Sequence, residues 1–200
     1  MNVEIVLYEG FDELDAVGPY EVLANGFRYA DSEGRVQMVT RDGRDAVTAS
    51  HGLRVGADGR LGDGDPDLVV VPGGGWSDHD SPGARAEYDD GRLPTRLAEL
   101  YDAGVSLASV CTGGMLVAKP GLFEDRPAIT HASALDDLAA AGADVRDVRV
   151  VDTGDLLSAG GVTSGLDLAF HLVEREFGAE VADRVAREME YEPNDDVLVV

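Results

Sequence analysis

VSLASVCTGGMLVAKPG, residues 105–121, passes from an apolar run through a small-residue turn into a second apolar run. VSLASV has the length and composition of a strand buried on both faces. MLVA, after Gly113 and Gly114, reads as a short helix, and Cys-Thr-Gly-Gly joins the two. In an open α/β sheet, sites lie just beyond the carboxyl ends of the strands. Cys111, the chain's one cysteine, falls there. A lone cysteine is more often a small core hydrophobe. Placed between strand and helix it instead resembles a nucleophile elbow, whose strained backbone small neighbours such as Thr112 and Gly113 tolerate. The following helix N-terminus is expected to lower the thiol pKa. The Thr112 amide is expected to face a developing anion.

The same alternation recurs along the chain. VEIVLY (3–8), VQMVT (36–40), DLVVV (67–71) and PAITHAS (127–133) read as strands, and VRVVDTG (148–154) with DLLSAGG (155–161) as a strand pair around a DTGD turn. Helical spacing predicts helices over 14–27 with Pro19 in the first turn, 93–104 ended by Gly104, 133–143 capped by Ser133, and 162–191 broken at Gly178. Residues 41–67, rich in Gly and Asp, predict loops and an edge hairpin around HGLRVGA (51–57). This pattern predicts an α/β fold, a mostly parallel sheet with helices on both faces, in one domain spanning 1–200. No linker and no internal repeat is visible.

Composition excludes several classes of function. Thirty-nine acidic residues face 16 Lys and Arg, a net charge of −23. No basic face is left for nucleic-acid phosphates. The acids are dispersed through periodic sequence, so the pattern fits a folded protein of a halophilic cytoplasm, where molar salt shortens the Debye length to about 3 Å. One cysteine rules out an internal disulfide or a multi-cysteine zinc site. MNVEIVLYEG has no signal-peptide character and no stretch is suited to crossing a membrane, so a cytoplasmic protein is expected.

Three further groups are expected on the sheet edge that carries Cys111. PGGG (72–75) allows backbone amides to approach a ligand. Gly74 is the candidate second oxyanion donor beside Thr112, with Gly73 and Gly75 as substrate-binding positions. Asp15, in FDELDAVGP, is either a plain helix-start acid or a catalytic one. His131, at the end of ITHAS, is equally open to a structural or a catalytic reading. His51, His79 and His171 have weaker cases. Trp76, Phe11 and the loop 75–92 are expected to shape the pocket.

Together IVLYEGFDELDAVGPYEVL, VVVPGGG, ASVCTGG, ITHAS and SAGGVTSGLDLAFHLVEREFG resemble the ThiJ/PfpI superfamily over about residues 3–192. That resemblance implies a flavodoxin-like sandwich related to class I glutamine amidotransferases, a small-molecule substrate, and a homodimer. LDAVGP, CTGG and GGVTSGLDLA look most like its isonitrile hydratase branch, where Asp stands near the cysteine and Thr follows it. By that likeness Cys111, Asp15, Thr112 and His131 are the catalytic candidates, and neither a cofactor nor a metal is needed. Ala132 departs from the branch, which usually carries Trp after the histidine. The superfamily also implies alternatives: glyoxalase or deglycase chemistry on small carbonyl compounds, a peptidase relying on a Cys–His pair, or oxidation sensing through Cys111.

Overall fold

A computed structural model describes all residues, 1–200. The chain runs β1 (Asn2–Leu7), α1 (Glu13–Tyr29), β2 (Arg35–Thr40), β3 (Ala46–Thr48), β4 (Arg54–Gly56), β5 (Gly59–Arg60) and β6 (Leu68–Val71). It continues α2 (Ala84–Asp90), α3 (Arg92–Asp102), β7 (Ser106–Val110), α4 (Gly113–Ala118), β8 (Pro127–Ala128) and α5 (Leu135–Ala140). It closes with β9 (Asp144–Val145), β10 (Val150–Asp152), β11 (Leu156–Ala159), α6 (Ser164–Phe177), α7 (Ala179–Glu188) and β12 (Val197–Val199).

Eight strands form one sheet in the order β12-β10-β11-β7-β6-β1-β2-β5. Its centre, β2-β1-β6-β7-β11, is all parallel and has the flavodoxin-like order, with the switch point between β1 and β6. Only β10 runs antiparallel to its neighbour β11, as the DTGD turn requires. The central strands are fully buried because helices cover both faces: α1 packs with α6 and α7, and α2, α3, α4 and α5 form the other group. In α1, Gly26 admits α6 so closely that a Cβ there would lie 2.7 Å from Val173. No helix is long and apolar enough to cross a membrane.

Several elements differ from the sequence expectation. Pro19 lies in the second turn of α1, not the first, and is buried. Its ring therefore removes the amide that would have bonded the Asp15 carbonyl. The stretch 127–133 forms only a two-residue strand, paired with β9 outside the main sheet. His131 then caps a 3-10 turn, its Nδ1 accepting from the Ser133 amide at 3.1 Å, so His131 rather than Ser133 begins that helical segment. A helix, α2, occupies part of the stretch expected as loop, and β12 adds an edge strand. The hairpin β3–β4, the break at Gly178 and the end of α3 at Gly104 (φ +96°) match the expectation.

Candidate active site

Asp15, Gly73 and Cys111 follow β1, β6 and β7, three strands adjacent in the sheet. Cys111 adopts φ +57°, a left-handed backbone costly for a residue with a Cβ. Its amide donates to the carbonyls of Ala159 (3.1 Å) and Gly160 (2.8 Å), and its carbonyl accepts from the Thr130 hydroxyl at 2.6 Å. These bonds hold the elbow in its strained state. Gly113 permits it sterically, because a Cβ there would sit 2.2 Å from the Val71 carbonyl oxygen.

Asp15 is completely buried in the first turn of α1. The Gly73 amide donates to its Oδ2 at 2.9 Å, while Oδ1 accepts no conventional hydrogen bond and the Cys111 thiol lies beside the carboxylate. Burial first, then the nearby Asp12, pushes the Asp15 pKa up to about 7; the Gly73 and Cys111 contacts act in the opposite direction. Burial, then the Asp15 charge, pushes the Cys111 thiol up to about 12, against the Thr112 amide. The expected lowering by α4 does not prevail: the helix has only six residues, and desolvation outweighs its N-terminal field. The resting pair is a thiol beside a carboxyl group that titrates near neutrality, and the two must be treated together.

The glycine loop is tied into this pair. Thr112 Oγ1 donates to the Gly74 carbonyl at 2.6 Å and accepts from the Gly74 amide at 2.9 Å. The Gly74 amide is thus already engaged, and so is that of Gly73. Gly75 is exposed, and its carbonyl accepts from Arg85 at 3.0 Å. Tyr8, unremarked in the sequence, anchors the loop by donating its hydroxyl to the Pro72 carbonyl at 2.7 Å.

His131 makes no hydrogen bond to Cys111. Its Nδ1 accepts from Ser133, leaving the proton of the neutral ring on Nε2, near Gly161. His51 stands closer to the site than the sequence suggested: its Nδ1 is 2.7 Å from Glu13 Oε2, at the start of α1. Asp12, Glu13 and His51 offer ligand atoms within 4.8 Å of one another. His171 pairs with buried Asp152 at 2.7 Å, and His79 is on an exposed loop. Phe11 is fully buried and pairs its backbone with Gly74, and the Trp76 indole donates to Asp137 at 2.7 Å. Thr130 and Tyr8 carried no sequence signal, because each acts through a backbone carbonyl distant in sequence.

A flavodoxin-like sheet with a strained cysteine after the fourth parallel strand and a buried acid after the first defines a class of cysteine-elbow proteins. A family model described as the DJ-1/PfpI family matches residues 1–175, and the chain belongs to that family. An isonitrile hydratase of Pseudomonas putida is 29% identical over 194 residues, 96% of this chain and 79% of that protein. A deglycase of Thermococcus kodakarensis is 26% identical over 161 residues, 79% of this chain and 89% of that protein. The crystal structure of a ThiJ/PfpI family protein from Pseudomonas syringae superimposes with a TM-score of 0.83 at 26% identity, covering 96% of this chain and 76% of that one.

Proposed function

We propose that the chain is a cysteine-dependent hydratase that adds water to an isonitrile, giving an N-substituted formamide. The observation that supports this best is Asp15: its carboxyl group is buried beside the Cys111 thiol, one oxygen is fixed by Gly73, the other accepts no hydrogen bond, and the group's pKa is about 7. Such a carboxyl group can both take and give a proton at neutral pH.

Asp15 removes the Cys111 proton as sulfur bonds to the terminal isonitrile carbon. The same proton passes from Asp15 to that carbon, giving a thioimidate with no change in net protonation. Asp15, again a carboxylate, activates a water, which adds to the carbon. One water proton goes to nitrogen; the carbon–sulfur bond then breaks as the carbonyl forms, and the hydroxyl proton passes by way of Asp15 to sulfur, restoring the thiol. One isonitrile and one water become one formamide. Thr112 contributes its amide toward the charge that develops, and Gly74 contributes its own where the bond to Thr112 is shared. His131 serves beside this pair as a polar wall, with Gly73 and Gly75 lining the approach.

The deglycase relatives support a second reading, in which the same thiol adds to a carbonyl of a small oxoaldehyde. Oxidation sensing fits less well, since it needs an accessible sulfur and Cys111 is buried. A peptidase would need the Cys–His contact that His131 does not make. The protein works as a homodimer in a salt-rich cytoplasm on this reading. Leu14, Tyr20 and Leu53, large apolar side chains exposed on α1 and the β3–β4 loop, suit such pairing. The test is a turnover panel in molar KCl with an alkyl isonitrile and methylglyoxal. Formamide release supports the hydratase, and turnover of methylglyoxal alone replaces it with the carbonyl reading.

A further inference from the structure

The protein is strongly acidic, with 39 Asp and Glu against 16 Lys and Arg, yet four of those 16 line one cleft. Arg41, Arg60, Arg92 and Arg96 share a space of about 410 Å³ with only two acids, Asp90 and Glu99, and with no apolar side chain. The cleft lies at the carboxyl edge of the sheet, where ligands of open α/β folds bind. Arg41 directly follows β2, Arg60 ends the parallel strand β5, and α3 starts there before running back to feed β7. Two of the four charges are unmatched. Arg60 forms no ion pair, and Arg41 comes no nearer to a carboxylate than 3.9 Å, at Asp42. Arg92 is held by Asp90 at 2.7 Å and Arg96 by Glu99 at 3.1 Å. Arg96 is also fixed from behind. It donates to the Leu61 carbonyl at 3.4 Å, and Gly62 leaves it room, since a Cβ there would lie 2.4 Å from the guanidinium. The first turn of α3 adds to the imbalance. Its cap, Gly91, has no side chain and the turn holds no acid, although helix N-termini favour negative charge; Arg92 stands there instead.

We propose that this cleft binds a compact polyanion of the pyrophosphate class, with Arg41 and Arg60 as the residues that hold it. Planar guanidinium forks match phosphate oxygens two at a time. A ligand with at least two charges is needed to match the two unpaired arginines, and its charge also favours the uncapped start of α3. The lining offers nothing to an apolar body, so a nucleobase or an aromatic ester has no seat. A nucleic-acid strand is excluded as well, because it would run out of the cleft onto a surface of its own sign. Such binding is independent of the reaction at Cys111.

The test is calorimetric titration of the full chain with sodium pyrophosphate at low ionic strength, beside orthophosphate and sulfate. A net charge of −23 repels anions at long range, so saturable uptake requires a local site. One pyrophosphate per chain is expected to bind, more tightly than either single anion, and to weaken as KCl is raised. Arg41→Gln/Arg60→Gln is expected to weaken it by about tenfold or more, with the urea midpoint unchanged because neither side chain has a close carboxylate partner. Arg54→Gln/Arg187→Gln removes the same charge from exposed positions outside the cleft and is expected to change binding by less than about twofold. Arg60→Gln alone, at an exposed position, is expected to weaken binding several-fold and keeps the test open if the double variant does not fold. Absence of saturable binding to the wild type overturns the proposal, and so does an equal loss in the two double variants. Orthophosphate binding as tightly as pyrophosphate overturns the requirement for a polyanion. The readout needs no turnover, so failure of the hydratase reading and failure of this site are separate results.

Discussion

The Gly73 amide holds Asp15 Oδ2 at 2.9 Å, and this one bond leaves Oδ1 buried without a hydrogen-bond partner in a carboxyl group that lies beside Cys111. Gly73 has no alternative in that place. A Cβ would lie 2.6 Å from the Thr112 nitrogen, 2.7 Å from Thr112 Oγ1 and 2.9 Å from Asp15 Oδ2. Gly73→Ala therefore pushes all three parts of the site apart. It is expected to cost about 1–3 kcal/mol in urea unfolding and to lower turnover by roughly 100-fold.

Asp15 makes stability depend on pH with a definite sign. Its folded pKa of about 7 lies above the unfolded value of 3.8. The protonated form is favoured in the folded state, so its contribution is fully present below about pH 4 and is lost as pH rises through 7. Asp15→Asn keeps the acceptor for Gly73 but carries no charge. At pH 8 it is expected to be more stable than wild type by about 2–4 kcal/mol, with the gap closing toward pH 4, measured by urea unfolding across that range. A constant gap would refute the titration.

The same substitution separates thiol ionisation from catalysis. Removing the Asp15 charge removes a repulsion that holds the Cys111 pKa up near 12. Iodoacetamide should then label Cys111 faster in Asp15→Asn than in wild type at pH 8, while turnover is abolished. Wild-type kcat/KM should rise with pH through about 7 as the base forms. Full turnover in Asp15→Asn would remove Asp15 from the mechanism.

Backbone strain at Cys111 has a measurable cost. Its φ of +57° disfavours any Cβ. Cys111→Gly should be more stable than Cys111→Ala by about 1 kcal/mol, and both should fold and lack turnover. Equal stability would mean that the elbow is relaxed in solution.

Thr130 positions that elbow through the Cys111 backbone carbonyl. Thr130→Val removes its 2.6 Å donation to the Cys111 carbonyl, leaving the weaker Gly114 amide contact at 3.3 Å. A loss of about 1–2 kcal/mol is expected, with a several-fold fall in kcat and an unchanged KM. Thr130→Ser should restore both.

Local patterns settled the larger elements. Continuous apolar strands, amphipathic helices and the glycines at 104 and 178 each act within a few residues, so the parallel sheet and most helix limits are legible in the chain. So is the placement of Asp15, the PGGG loop and Cys111 at neighbouring strand ends, since the carboxyl ends of parallel strands share one edge. The short strand at 127–128, helix α2 and strand β12 were not legible, because packing and pairing partners distant in sequence decide them. The charges and contacts were least visible. A helix start beside a cysteine predicts a lowered pKa, yet the tertiary structure buries the sulfur against Asp15 and raises it. The sequence left His131 open to either role, and only the fold shows its Nδ1 engaged by Ser133. Sequence determined which groups come to the edge, because strand direction is a local property. Only the tertiary structure decided which carboxylate oxygen Gly73 fixes and where the shared proton rests, because burial and charge depend on every element packed around them.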